Sequence, residues 1–319
     1  MSSIDLIDTD AALEALRPEW DALWTRTPGA TPFQSPRWLL PWWHQFGTGM
    51  PRVAIAREQG LLVGVLPLYV LPQERKALPI GAGTTDYLDG LGALDGLLAR
   101  ALDRLRGEVD CCDLIEVPPG SALLGAAPAG WCAEWRQDSP CPVLTLPDIP
   151  SGIRRKLRMN RHRAERDGGW SVADAELDML VELHQRRWTG QGEPGVLASP
   201  AVLAFWREAL PGLQAGGLVR LLRLEVGAAV AACIMALLAP GRIYFYLSGF
   251  DDAHTFVSPG TLLLGAMLEQ AIAEGRCEAH FLRGQERYKY AWGAVDRCNA
   301  ALRLAPSSRA DVAPRQQLG

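Results

Sequence analysis

Residues Leu218–Thr261 read LVRLLRLEVGAAVAACIMALLAPGRIYFYLSGFDDAHTFVSPGT. Three apolar runs, Leu218–Val226, Ala228–Leu238 and Arg242–Gly249, are separated by turns at Gly227 and Pro240-Gly241. That punctuation predicts three consecutive antiparallel strands. A loop follows, and then Ser258-Pro259-Gly260 opens a helix expected to reach Glu274. Ser258 suits an N-cap, and Pro259 loses no needed hydrogen bond at the first helical position.

Outward from this stretch the same alternation continues. Upstream lie a short strand, Trp170–Ala173, and two helices, Asp174–Trp188 and Ser199–Gln214. Downstream lie a strand at Ala279–Leu282, a short helix at Glu286–Trp292 and a strand at Arg297–Leu304. The second half therefore reads β-α-α-β-β-β-α-β-α-β. The first half follows a shorter version of this order. A helix at Asp10–Arg26 carries Leu13, Leu16, Trp20, Leu23 and Trp24 on one face, and a second begins at Ser35-Pro36. Strands at Arg52–Ala56 and Leu61–Val70 flank a Gln59-Gly60 turn. A Gly/Thr-rich loop, a helix at Asp95–Arg106, and strands at Cys112–Val117, Trp131–Arg136 and Pro142–Leu146 complete it. Pro147-Asp148-Ile149-Pro150 reads as a boundary. The expected fold is mixed α/β, in two related halves, 1–148 and 149–319, each a mostly antiparallel twisted sheet flanked by helices.

The 319 residues suit two domains of ordinary size, and 48% hydrophobic with 21% charged residues is a globular composition. A net charge of −4 argues against a protein that coats nucleic acid generally. The longest apolar run, Ala228–Ala239, is too short for a membrane span, and Met1–Thr9 has no signal-peptide pattern. Seven cysteines without a C-x-x-C pair suggest free thiols in a reducing cytoplasm. His44, His184 and His254 lack ligand spacing, so no metal is expected. Neither a G-x-S-x-G element nor a phosphate-binding GxxxxGK[ST] loop is present, which removes those hydrolase and nucleotidase classes.

Two segments could hold anions. A helix N-terminus offers free backbone N–H groups and partial positive charge, and at Ser258, Gly260 and Thr261 the glycine lets a phosphate approach the backbone. The helix Ile153–Arg166 is basic all round, and Arg158 and Arg161, one turn apart, are placed to grip one phosphate. Only Lys76, Lys156 and Lys289 are lysines among 32 basic residues, which singles out Lys289 in His280-Phe281-Leu282-Arg283-Gly284-Gln285-Glu286-Arg287-Tyr288-Lys289.

At this point the chain resembles a family: the GNAT-type acetyltransferases grouped with bacterial cellulose biosynthesis, which have two GNAT-like halves. The resemblance rests on four segments: Pro32-Phe33-Gln34-Ser35-Pro36-Arg37-Trp38, Thr85-Asp86-Tyr87-Leu88-Asp89, Ser258-Pro259-Gly260, and Gly284 through Glu286 to Tyr288-Lys289. The chain is also similar to the Fem-type peptidoglycan aminoacyltransferases. The resemblance implies acyl-CoA as cosubstrate, with its pyrophosphate on the Ser258 helix, and an amine acceptor attacking directly. It implies Lys289 as the oxyanion stabiliser, Tyr288 or Tyr290 as the acid for the leaving thiolate, and Glu286 or His280 as the base. His280 stands where the family commonly has an aspartate. Trp38, Asp86, Tyr87 and Asp89 are expected on the acceptor side. The basic helix would meet the CoA 3′-phosphate, an acyl carrier protein or a tRNA. Aminoacyl-tRNA-dependent transfer and a non-catalytic GNAT-fold binding protein are the alternatives.

Overall fold

The apolar runs of the opening stretch do form strands in the computed structural model, which describes residues 2–125, 127–190 and 192–307. The remaining residues, including most of the polar tail expected after Pro306, lie outside the described part. Contact clustering divides the chain into two units, Met1–Ser139 with the chain from Cys298 onward, and Pro140–Arg297. The sequence boundary at 148/149 assigned residues 298–306 to the other half.

The first unit opens with β1 (Ser2–Ile7), α1 (Asp10–Ala15) and α2 (Arg17–Arg26). One helix was expected over Asp10–Arg26. Pro18, which has no backbone N–H, sits in the first turn of α2 and forces the restart. Helix α3 (Pro36–Phe46) begins as read: Ser35 Oγ accepts from Arg37 N at 3.0 Å. Its apolar face buries Trp38, Leu39, Trp42 and Trp43. Then come β2 (Met50–Glu58), β3 (Leu61–Leu71), β4 (Lys76–Pro79), the two-residue β5 (Leu91–Gly92), α4 (Leu97–Leu105), β6 (Cys111–Val117) and β7 (Trp131–Thr145). β1 was not legible in the sequence: it is short and half polar, and is defined by pairing antiparallel with β2, Ile4 opposite Ala56.

Strand β7 was expected as two strands, on either side of Pro140. It continues because Pro142 needs only to accept: its carbonyl takes a bond from Phe281 N at 2.9 Å.

The second unit follows with α5 (Ser151–Arg166), β8 (Trp170–Asp174), α6 (Leu177–Thr189), α7 (Pro200–Ala215), β9 (Val219–Val226), β10 (Ala229–Ala239), β11 (Arg242–Phe250), α8 (Pro259–Ala273), β12 (Glu278–His280) and α9 (Arg287–Ala291). The last strand, β13 (Val295–Pro306), pairs within the first unit, Leu302 opposite Leu114 on β6.

The two units share one strand plan. In the first, β1-β2-β3-β4-β6 are neighbours, antiparallel except that β4 runs parallel to β6 after α4 crosses over. In the second, β8-β9-β10-β11-β12 repeat this, with β11 parallel to β12 after α8. The first core gathers residues such as Leu66, Leu68, Leu102 and Leu114. The second gathers Leu224, Ile234, Leu263, Met267 and Leu268, with α8 lying across the sheet. Gly265 lets α8 meet α5, since a Cβ there would stand 2.5 Å from Leu157 Cδ2.

Candidate functional site

A parallel pair joined by a crossover helix tends to leave a crevice beside that helix, and the second unit does so by splaying. β11 pairs with β12 for three residues, Arg242 with Glu278, Ile243 with Ala279 and Tyr244 with His280. β11 continues to Phe250 while β12 ends at His280. Where they part lies a cleft of about 380 Å³, within the range that holds small ligands. Phe245, Leu247 and Phe250 of β11, Phe281, and Trp292 make it largely apolar.

The first turn of α8 stands in the wall, through Ser258, Pro259, Gly260 and Thr261. Ser258 precedes the helix, but its hydroxyl makes no capping bond, contrary to the expected N-cap. The reason is its left-handed backbone, φ 51° and ψ 66°, where capping serine adopts extended angles. The amides of Thr261 and Leu262 turn back to Ser258 O at 2.9 and 3.1 Å. The Gly260 N–H, second in the helix, has no intrahelical partner by construction. A Cβ on Gly260 would meet only the Phe250 ring at 3.5 Å, an ordinary contact, so packing does not require glycine here. A side chain would instead grow into the cleft.

Tyr288 completes this wall. It is 49% exposed, yet burial of its hydroxyl end pushes its pKa up to about 12, with Glu286 adding to the rise and Arg187 opposing it. Tyr290 stands apart, its hydroxyl donating to Asp296 Oδ1 at 2.8 Å.

Lys289, Glu286 and His280 are not in the cleft wall. Lys289 is 3% exposed. Its Nζ donates to the carbonyls of Leu282, Arg283 and Gly284 at 3.3, 2.7 and 3.1 Å, and pairs with Glu286 at 2.8 Å. Its donors are therefore committed, which corrects the oxyanion role. Leu282 and Gly284 have φ of 60° and 104°, and this backbone turns three successive carbonyls toward one ammonium. Glu286 is engaged by the same lysine. His280 lies buried against the Tyr244 ring, centroids 4.5 Å apart, with Nε2 3.2 Å from Glu278 Oε2. Burial holds its pKa below the ordinary histidine value, and the bond to His280 holds Glu278 down at about 2. His280 is placed in the sheet on β12 and Glu286 precedes α9, held by Lys289, so neither is positioned as a base at the cleft.

The expected grip of Arg158 and Arg161 does not form. Arg161 pairs with Glu269 of α8 at 2.6 Å and lies over Trp170 at 5.4 Å. Arg158 instead lines a shallow basic hollow with Arg155, His162, Arg163 and Arg166. Arg163 reaches from there to Phe256 O at 3.1 Å.

The acceptor side expected in the first half is core. Trp38 is fully buried, stacked edge-on against Phe33 at 5.1 Å, and its indole donates to Thr85 Oγ1 at 2.9 Å. Tyr87 packs on Phe33 at 6.0 Å, and the Asp86 carbonyl accepts from Asn299 Nδ2 at 2.8 Å. Asp89 accepts from Ser121 Oγ at 2.6 Å and from Gly90 N at 2.8 Å. These residues hold the Gly/Thr loop against its sheet, so the loop's acids do not present a carboxylate pair to an amine.

Burial raises the Asp89 pKa from 3.8 to about 6. The folded state thus binds this proton more tightly than the unfolded chain, and stability is lost as pH rises from about 4 to about 6. Asp89→Asn should remove that slope. Urea unfolding at pH 4 and pH 7 is expected to show wild type losing roughly 1–3 kcal/mol relative to the variant over that interval. Parallel pH profiles would show that Asp89 titrates normally.

Arg187 was missed in the sequence. It follows Arg186 in the last turn of α6, where cations commonly offset the helix dipole, and nothing in the local pattern separates the two. Only the fold turns Arg187 into the cleft.

A splayed parallel pair, a crossover helix whose first turn faces the splay, and a ligand-sized cleft define a GNAT fold. Residues 151–290 match the family model described as an acetyltransferase (GNAT) domain. Among solved structures the chain is similar to FemX, with TM-score 0.67 and 12% identity over 94% of this chain and 96% of that one. It is also similar to a conserved protein of unknown function from Bacteroides thetaiotaomicron, TM-score 0.63 at 12% identity, covering 94% and 100%. L-PGS from Bacillus licheniformis matches with TM-score 0.58 at 11% identity, covering 89% and 90%. At these identities the likeness concerns the fold. Comparison with curated protein sequences finds no match. Among the described residues no helix is long and apolar enough to cross a membrane, and no cluster of side chains suits a metal.

Proposed function

We propose that the second unit transfers an acyl group, with acetyl the simplest case, from acyl-CoA to an amine by direct attack. The observation that carries this reading is the cleft itself, with the α8 first turn and Tyr288 in one wall. The Gly260 amide and the helix dipole meet the CoA pyrophosphate, and the apolar faces of Phe245 and Phe281 take the pantetheine arm. The neutral amine attacks the thioester carbonyl, the C–S bond breaks, and Tyr288 donates its proton to the departing thiolate. Water then carries the proton lost by the new amide nitrogen back to Tyr288. A phenol with its pKa near 12 keeps its proton at neutral pH, as an acid must. Lys289 acts as a positioning residue: it fixes the loop that sets Phe281 and Tyr288. In this reading the chemistry is carried by the second unit, Pro140–Arg297.

Tyr288→Phe is expected to lower kcat by ~10²-fold, the usual worth of one acid catalyst, with KM for acyl-CoA nearly unchanged. Thiol release under steady-state conditions measures both. An unaltered kcat would remove Tyr288 from the chemistry.

A second reading, transfer from an aminoacyl-tRNA, draws on the hollow of α5, where Arg155, Arg158, Arg163 and Arg166 outnumber the single carboxylate Glu165 and would favour a polyanion. An acyl carrier protein would use the same surface. Filter binding with charged tRNA, beside calorimetry with acetyl-CoA, separates these donors.

A further inference from the structure

Among the described residues, Arg187 is the single charged side chain in the wall of the cleft, and no carboxylate lines it. Its neighbour Arg186 behaves as a surface cation, exposed and paired with Glu182 at 2.5 Å. Arg187 instead lies over the Phe250 ring at 4.6 Å and beside Trp188 at 5.8 Å. Its Nε is buried with no hydrogen-bond partner. The position is imposed by close packing: a Cβ on Gly249 would stand 2.5 Å from His184 N, so α6 rests directly on β11. A guanidinium held against two rings, with an unsatisfied buried donor, is prepared for an oxyanion that the protein itself does not supply.

We infer that Arg187 binds an oxyanion carried by the acceptor, so that the substrate is an anionic amine bearing a carboxylate or a phosphate close to its nitrogen. This rests on the acyl-transfer reading above. The donor's phosphates have their own candidate seat at the α8 first turn, through Gly260, while Arg187 is carried by α6 and lies over the Phe250 ring. Arg187 also opposes the upward shift of the Tyr288 phenol, which places its charge toward the reacting end. The neighbouring His184 is pushed down to about 4 by burial and by Arg187, so it stays neutral and leaves the anion to the guanidinium.

The test uses matched amines with acetyl-CoA as donor: glycine against glycinamide, and glucosamine phosphate against glucosamine. Wild type should prefer the anionic member of at least one pair by about tenfold or more in kcat/KM, and the preferred pair tells carboxylate from phosphate. Arg187→Met keeps the apolar stem and should erase that preference, lowering kcat/KM for the anionic amine at least about tenfold more than for its neutral counterpart, with the acetyl-CoA Kd kept; Arg187→Lys should restore part of it. Equal rates within both pairs for wild type, or a preference that survives in Arg187→Met, overturns the inference. So does a tenfold weaker acetyl-CoA Kd in that variant, which would assign Arg187 to the donor. If wild type binds no acetyl-CoA, the acyl-CoA reading fails, and a second measurement still decides the oxyanion site. Modification of Arg187 by phenylglyoxal, followed by mass spectrometry, should be slowed by N-acetylglycine or glucosamine phosphate but not by their neutral counterparts. Absence of that protection overturns it.

Discussion

Gly260→Glu is expected to abolish acyl-CoA binding, raising Kd by at least ~100-fold, while the protein keeps its fold. The reasoning separates the helix from the ligand. Glutamate is a better helix former than glycine by roughly 0.5–1 kcal/mol, and a carboxylate in a first turn is favoured by the dipole. A Cβ at this position meets the Phe250 ring at an ordinary 3.5 Å, so packing is not offended. The melting temperature should therefore hold or rise. The new side chain nonetheless occupies the cleft where the first turn faces it, and its charge opposes a pyrophosphate. Calorimetry with acetyl-CoA reads the loss, and Gly260→Ala, which adds only a methyl, should bind within about tenfold of wild type. Full binding by Gly260→Glu would move the donor site away from α8.

Lys289→Met should cost about 2–4 kcal/mol, seen as a melting temperature lower by roughly 5–15 °C, together with a large loss of turnover. Methionine fills the stem's space but satisfies none of the three carbonyls that now meet Nζ. Arg283 and Gly284 are half-buried and can take water, which sets the estimate below the full sum of three orphaned acceptors. Lys289→Arg should not rescue, because a planar fork does not fit three carbonyls converging on a point. An oxyanion role would give the opposite pattern: lost kcat with an unchanged melting temperature. Scanning calorimetry beside steady-state kinetics distinguishes the two.

The strands around Gly227 and Pro240-Gly241 and the Pro259 helix start were legible because turn residues and periodicity are local properties. The same local signals located Ser258, Gly260 and Thr261, while Tyr288 came from the family resemblance as an alternative to Tyr290; these four line one cleft. Residue type misled where a polar group had been enlisted to satisfy the fold. Asp86, Tyr87 and Trp38 look like a binding loop in the sequence and are core in space. Lys289 looks like a catalytic ammonium and is a clasp. Burial and hydrogen-bond partners, which decide between these roles, depend on residues distant along the chain, such as Asn299 for Asp86.

The sequence by itself determined the run of three strands from Leu218 to Gly249 and the helix start at Pro259, since each follows from side-chain pattern and backbone chemistry within a few residues, whereas β1 and β4 are defined by their pairing across the sheet. Tertiary structure alone decided which charged groups have partners. It paired Arg161 with Glu269, enclosed Lys289 in carbonyls, and left Arg187 over Phe250 with an unmet donor, because those outcomes depend on how closely α6, α8 and β11 approach one another in space.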